Sequence, residues 1–172
     1  MIKRYPRSSV AVLALSAAGF AGIVMNEGYT DKAVIPVEGD VPTYGLGSTV
    51  KEDGKPVQMG DRITPQKAIR LSVSHIGKDE VKLKNCFGDA ELYQHEWDAY
   101  VDLAYNVGPY KVCNSSITTK AKAQQYEAAC NVILDFKKAA GRDCSIRSNG
   151  CYGVWLRRLE MNKLCLTGEY PR

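Results

Sequence analysis

The stretch Ile23–Gly47, IVMNEGYTDKAVIPVEGDVPTYGLG, decides how the chain is read. It begins inside an apolar run, meets an acid at Glu27, and then breaks into turn chemistry that carries Glu38, Asp40 and Thr43. Taken singly, each of these residues has an ordinary explanation. Glu27 favours the first turn of a helix through the helix dipole, Asp40 after Gly39 makes a hairpin turn, and Thr43 suits a strand. Within seventeen residues, however, they describe a helix-borne carboxyl followed by a carboxylate and a hydroxyl on a hairpin. One acid that donates a proton and one that stays ionised is the pair that cleavage of a glycosidic bond requires.

Upstream, the N-terminus carries Lys3, Arg4 and Arg7, and Ser8 to Met25 then runs eighteen residues without a charge. That length is at the low end for crossing a hydrocarbon core of about 30 Å. Ten of the eighteen residues are Ala, Gly or Ser, so the free energy holding such a span in lipid is modest. The basic flank predicts a cytoplasmic N-terminus and an exported body. Residues 1–25 therefore read as a cleaved signal peptide, with small-residue sites in ALSAAGFAG, as a permanent anchor, or as an anchor able to leave the membrane. Only the last gives the position of Glu27 a meaning. An acid two residues beyond an embedded span is pinned at the interface, where lipid blocks a large substrate.

The 172 residues are enough for one cored domain, residues 26–172, behind that segment. A formal charge of +4 favours an anionic surface such as phospholipid or cell-wall polymer. Lys and Arg are scattered after Arg7 without the dense stripe that nucleic acid needs. Six cysteines, at 86, 113, 130, 144, 151 and 165, include no Cys-x-x-Cys pair and lie apart from His75 and His95, which argues against a metal site. An even count behind an export-like segment predicts disulfides. Cys144 and Cys151 bracket the loop SIRSNG and are the pair the sequence favours; Cys130 with Cys165 is a second expectation, which would leave Cys86 with Cys113.

Short β-favouring runs broken by EGD, GLG and EDGK between Ala33 and Met59 predict an antiparallel sheet of tight hairpins. From Thr64 the period becomes helical, with Thr64 as N-cap and Pro65 in the first turn. Further helices are predicted over Glu91 to Asn106, Ala123 to Ala139 and Val154 to Leu166. The fold class is α+β: a small lobe of antiparallel hairpins and a larger helical lobe with a cleft between.

In order along the chain, NEGYTDKAV, GDVPTYGLGST, AYNVG at Ala104–Gly108 and VWLRRLEMNKLC at Val154–Cys165 resemble the phage-type lysozymes of glycoside hydrolase family 24. The weakly apolar leader makes the chain similar to their signal-arrest-release endolysins. The family pattern is Glu, eight residues, Asp or Cys, five residues, Thr, then Gly-x-Gly. Glu27 and Thr43 match, but the interval holds one extra residue, so the middle position falls on Pro36 or Val37. Asp40, beside Thr43 in GDVPT, and Glu38, nearer the register, are the available carboxylates. Ser48 stands where many relatives have His.

The resemblance implies a lysozyme-like two-lobed fold and muramidase activity, cutting the β-1,4 bond between N-acetylmuramic acid and N-acetylglucosamine in peptidoglycan. Glu27 would be the general acid, Asp40 the ionised partner, and Thr43 the residue positioning water. It implies no cofactor, a monomer, and residence in the host cytoplasmic membrane before release to the periplasm. A lytic transglycosylase, which needs a single Glu, and a noncatalytic wall-binding or membrane-disrupting protein are the competing readings. Tyr105 and Asn106 are candidate sugar contacts, or else a core tyrosine and a C-terminal cap. Arg157 and Arg158 are expected on a solvated helix face, and Trp97 and Trp155 in packing.

Overall fold

The computed structural model describes residues 6–36 and 39–171, so Lys3, Arg4 and Glu38 lie outside the described residues. The chain forms two compact units, one of residues 23–78 and the other of the N-terminal residues to Gly22 together with Asp79 onward.

In the smaller unit, the apolar run ends as the last turns of helix α1 (Ala17–Glu27). The Gly28 N–H closes on the Val24 carbonyl at 3.2 Å and the chain turns left-handed there. Glu27 is thus the last helical residue, and the first-turn expectation is corrected. A carboxylate at this end opposes the helix dipole, so helix stability is no reason for its placement. Strands β2 (Thr30–Val34) and β3 (Thr43–Gly45) pair antiparallel, with Thr30 opposite Gly45 and Val34 opposite Thr43. Four residues of advance on β2 face two on β3, so β2 bulges, a distortion common beside functional sites. Bridges Tyr44–Ser48 and Val50–Pro56 continue the hairpins the sequence predicts. Ala33, Tyr44, Leu46 and Val57 form the buried core of this unit together with Ile63 and with Ala68 of the helix that follows. Helix α2 (Pro65–Phe87) opens as predicted: the Thr64 hydroxyl accepts from the Lys67 N–H at 3.4 Å.

The helical unit is built on α3 (Gln94–Val107), buried continuously from Glu96 to Ala104. It packs against α4 (Pro109–Cys113) and α7 (Tyr152–Thr167), while α5 (Ser116–Lys122) packs on α6 (Tyr126–Asn131). Trp97 is fully buried and meets Phe87 edge-on at 5.8 Å, the packing role expected of it. The single helix expected over 123–139 is broken. Gln124 adopts φ +57° and ends α5, and a 3-10 turn follows α6. Lys138–Ala139 then pairs with Arg142–Asp143 across a turn with positive φ at Ala140 and Gly141, the geometry of a two-residue hairpin.

The uncharged span Ser8–Met25 is not one helix here. Ser8–Ser9 is strand β1, paired with β4 (Glu91–Leu92). Val10 and Leu13 enter the core, and helix begins only at Ala17. Among the described residues, no helix is long and apolar enough to cross a membrane.

Disulfides join Cys86–Cys113, Cys130–Cys165 and Cys144–Cys151, the pairing expected. The first ties α2 to α4, the second α6 to α7, and the third closes a loop of sequence separation 7 against 35 for the second. Loop-closure entropy gives about 4 kcal/mol for the longer loop and about 2 kcal/mol for the shorter. Urea denaturation of the Cys130→Ser/Cys165→Ser and Cys144→Ser/Cys151→Ser proteins should return losses in that order.

Candidate functional site

Glu27, Asp40 and Thr43 all lie in the smaller unit. The half-buried Glu27 faces the end of the Gly45-Leu46-Gly47 motif: a Cβ on Gly47 would stand 3.1 Å from Glu27 Oε2. A Cβ on Gly45 would stand 2.9 Å from the Ala68 side chain. Gly-Leu-Gly therefore has a steric reason at both positions, one against α2 and one against the acid. The ladder that sets Thr30 against Gly45 also carries Thr43 at the head of the same strand, opposite Val34. Just beyond the acid, the Tyr29 hydroxyl donates to the Ile63 carbonyl at 2.7 Å and ties down the chain leaving α1.

Asp40 stands exposed on the turn between β2 and β3, and its Oδ1 accepts from the Val41 N–H at 2.8 Å. That local bond holds the carboxylate on the turn. Asp31 is a further acid of the same segment, unremarked in the sequence. Arg62 Nη2 donates to it at 2.9 Å, and this bond holds the exposed carboxyl below its ordinary value. It is committed to an ion pair, and Asp40 is the exposed acid of the turn among the described residues. Arg62 and Lys67, with Tyr29 and Asp31, line a depression of about 430 Å³ on this unit.

Tyr105 and Asn106 lie on the last turn of α3 in the helical unit. Asn106 is not the cap, because Gly108 closes the helix onto the Ala104 carbonyl at 2.8 Å. Instead Asn106 Oδ1 accepts from Arg158 Nη2. Arg158 is only 2% exposed and also donates through Nε to the Phe136 carbonyl at 3.0 Å. Burial, with Arg157 adding repulsion, brings its pKa down to about 10, so it is charged at neutral pH and needs those acceptors. Arg157 pairs with Asp102 at 2.8 Å, both largely buried. The solvated-face expectation for Arg157 and Arg158 is overturned. Arg158 shares the buried face of α7 with Met161 and Cys165, a position where the helical period would lead one to expect an apolar residue.

The sequence model of the family described as Phage lysozyme matches residues 24–159. The chain is 30% identical over 169 residues to a protein named SAR-endolysin from Escherichia phage 933W, covering 93% of each. Among solved structures, it is similar to the endolysin from Escherichia coli O157:H7 phage FAHEc1, with TM-score 0.79 and 26% identity, covering 94% of this chain and 98% of that one. The fold also matches P1 phage endolysin Lyz in two forms. The TM-score is 0.73 to its active form (22% identity, 96% and 97% coverage) and 0.55 to its secreted inactive form (21% identity, 90% and 97% coverage).

Two substitutions test this geometry. Gly47→Ala places a methyl 3.1 Å from Glu27 Oε2 at a φ of +79°. It should lower unfolding free energy in urea titration by about 1–3 kcal/mol, because a side chain is strained at that φ. Asn106→Ala removes an acceptor from a buried guanidinium and should lower unfolding free energy by about 1–3 kcal/mol, read by urea titration.

Proposed function

The chain belongs to the phage lysozyme family, and on that premise we propose that it is an endolysin that hydrolyses the β-1,4 bond between N-acetylmuramic acid and N-acetylglucosamine in peptidoglycan. The observation that carries the reading is Glu27: an acid on the wrong end of a helix for stability, half-buried, with its carboxyl against Gly47 on the hairpin headed by Thr43. Glu27 gives its proton to the leaving glycosidic oxygen. Asp40 stays ionised and either activates water or stabilises the oxocarbenium-like transition state. The Thr43 hydroxyl orients the water. Tyr105 and Asn106 of the helical unit, the latter with its Oδ1 held by Arg158, are the proposed sugar contacts of that unit.

The reading extends to delivery. The chain waits with Ser8–Met25 in the host cytoplasmic membrane, N-terminus inside, and reaches the periplasm when the membrane potential collapses. The small-residue composition of the span and the position of Glu27 just beyond it support this. No partner beyond membrane and wall is needed, and the enzyme acts as a monomer.

The full chain is the reagent for testing, because Val10 and Leu13 are core residues that removal of residues 1–25 would strip out. On purified peptidoglycan it should release fragments with ordinary reducing ends, as mass analysis reads them. Glu27→Gln should lose about 10²–10⁴-fold in rate with its fold intact, and Asp40→Ala should also be impaired. Anhydro-sugar products with Asp40→Ala still active would point to a transglycosylase, and wall clearance by Glu27→Gln would remove the catalytic reading. For delivery, Gly22 is the informative position, since a Cβ there meets nothing within 4 Å. Gly22→Leu should delay lysis and prolong membrane residence without altering the purified enzyme; an unchanged lysis time would count against the escapable anchor.

A further inference from the structure

Arg7, the last charged residue before the apolar span, sits in a built receptacle on the helical unit. Its Nη2 and Nε bond the two oxygens of Glu96 at 2.8 and 3.2 Å. Its guanidinium lies 3.9 Å from the centre of the Tyr93 ring and 3.5 Å from that of Tyr126. The Glu96 side chain is 4% exposed, and its Oε2 also takes the Tyr93 N–H at 2.7 Å. A forked carboxylate pair between two aromatic faces matches the flat, five-donor shape of arginine and not the point charge of lysine. These residues line a cavity of about 800 Å³ that includes Pro6, Ser8 and His95. The residues following Arg7 are fastened to the same unit: Val10 N–H to the Ala90 carbonyl at 3.0 Å, and Leu15 N–H to Glu80 at 2.7 Å.

We propose that the Tyr93–Tyr126–Glu96 receptacle is a latch that captures Arg7 after the span has left the membrane and opposes its return. This rests on the membrane-delivery reading above. With Ser8–Met25 across the bilayer and the N-terminus inside, Arg7 is on the cytoplasmic face. Tyr93, Tyr126 and Glu96 belong to the exported body, so about 30 Å of hydrocarbon separates them from it. The contacts exist only in the released state, and a contact unique to one state shifts the balance by its whole strength. Return would have to pull the guanidinium from its receptacle and drive it through lipid, and it would leave a buried carboxylate without its cation.

The test uses full-length chains carrying Arg7→Lys, Tyr126→Leu, or both. Lysine keeps the basic flank, and Tyr126→Leu leaves the leader untouched. Chains in energised inner-membrane vesicles are released by an uncoupler, and the potential is then restored. Release kinetics should be those of the parent, because the latch does not exist before release. After restoration, each variant should return to the membrane fraction about tenfold more than the parent, the scale expected from losing one aromatic face in Tyr126→Leu or the forked carboxylate pair in Arg7→Lys. The Val10 amide should exchange hydrogen faster by a similar factor, and the double variant should add little, since both changes break one contact. If return and exchange match the parent while the parent itself moves between fractions, the latch is overturned and the delivery reading stands. If the parent never enters the membrane fraction, the delivery reading fails and takes the latch with it.

Discussion

The carboxylate of Asp98 is fully buried in the helical unit, and the entry of the chain into α1 depends on it. It accepts the Ser16 N–H at 2.9 Å, the Ser16 hydroxyl, the Gln94 amide at 2.8 Å and the Tyr170 hydroxyl at 2.6 Å. A buried charge is tolerated only with such a full complement of donors. Burial and the bond to Asp98 both push the Tyr170 phenol upward, so it remains protonated and able to donate. Ser16, held in place, caps the helix by accepting the Gly19 N–H at 3.0 Å. Gly19 itself is needed for the approach, because a Cβ there would lie 2.7 Å from the Asp98 carboxyl carbon. The helix that starts at this anchor ends, eleven residues later, on Glu27.

Under the proposed delivery one segment must suit two solvents, and that anchor provides for the second. In lipid a spanning segment must satisfy its own backbone, which only a helix does. In the folded unit residues 8–16 give up that pattern, and the body supplies partners: β4 pairs with Ser8 and Ser9, and the Ala14 carbonyl accepts from Gln94 at 2.7 Å. Lys84 donates to the Ala11 carbonyl at 3.3 Å. Small residues serve both requirements. In the proposed membrane-held form they would weaken the hold of the bilayer, and in the folded unit Gly19 lets the chain approach Asp98 closely.

The parts of the fold legible in the sequence are those governed by local chemistry. Thr64-Pro65 announces α2 because capping and the fixed φ of proline act within one turn. Cys144 and Cys151 could be paired because the loop between them is short. The broken helix at 123–139 was hidden, since Gln124 and Ala140 take positive φ without the glycine that usually signals it. Arg158 was hidden for a different reason: its burial follows from the Asn106 and Phe136 oxygens, which are distant in sequence. At the candidate site, Glu27 and Thr43 came from the resemblance, and Asp40 from the turn chemistry beside Thr43, because the interval holds one extra residue. The wall that Gly47 makes for Glu27, and the reversed dipole at the acid, required knowing where α1 stops.

Where α1 stops bears on how a membrane-held form could differ from a released one. A bilayer-spanning helix over Ser8–Met25 would extend helical structure toward the N-terminus from Ala17, through residues that here form β1 and the turn after it. The far end needs no such change: Gly28 closes on Val24 by a bond local to the last turn, independent of what precedes it. Glu27 would then be the terminal helical residue in either state, with the conformational difference confined to residues before α1. Under the proposed delivery, the exchange of partners falls on the segment that gains Asp98, Glu80 and Glu96. In that scheme an acid at the opposite end of the helix would be coupled to the exchange through the location of the helix and not through any rearrangement of its own turn.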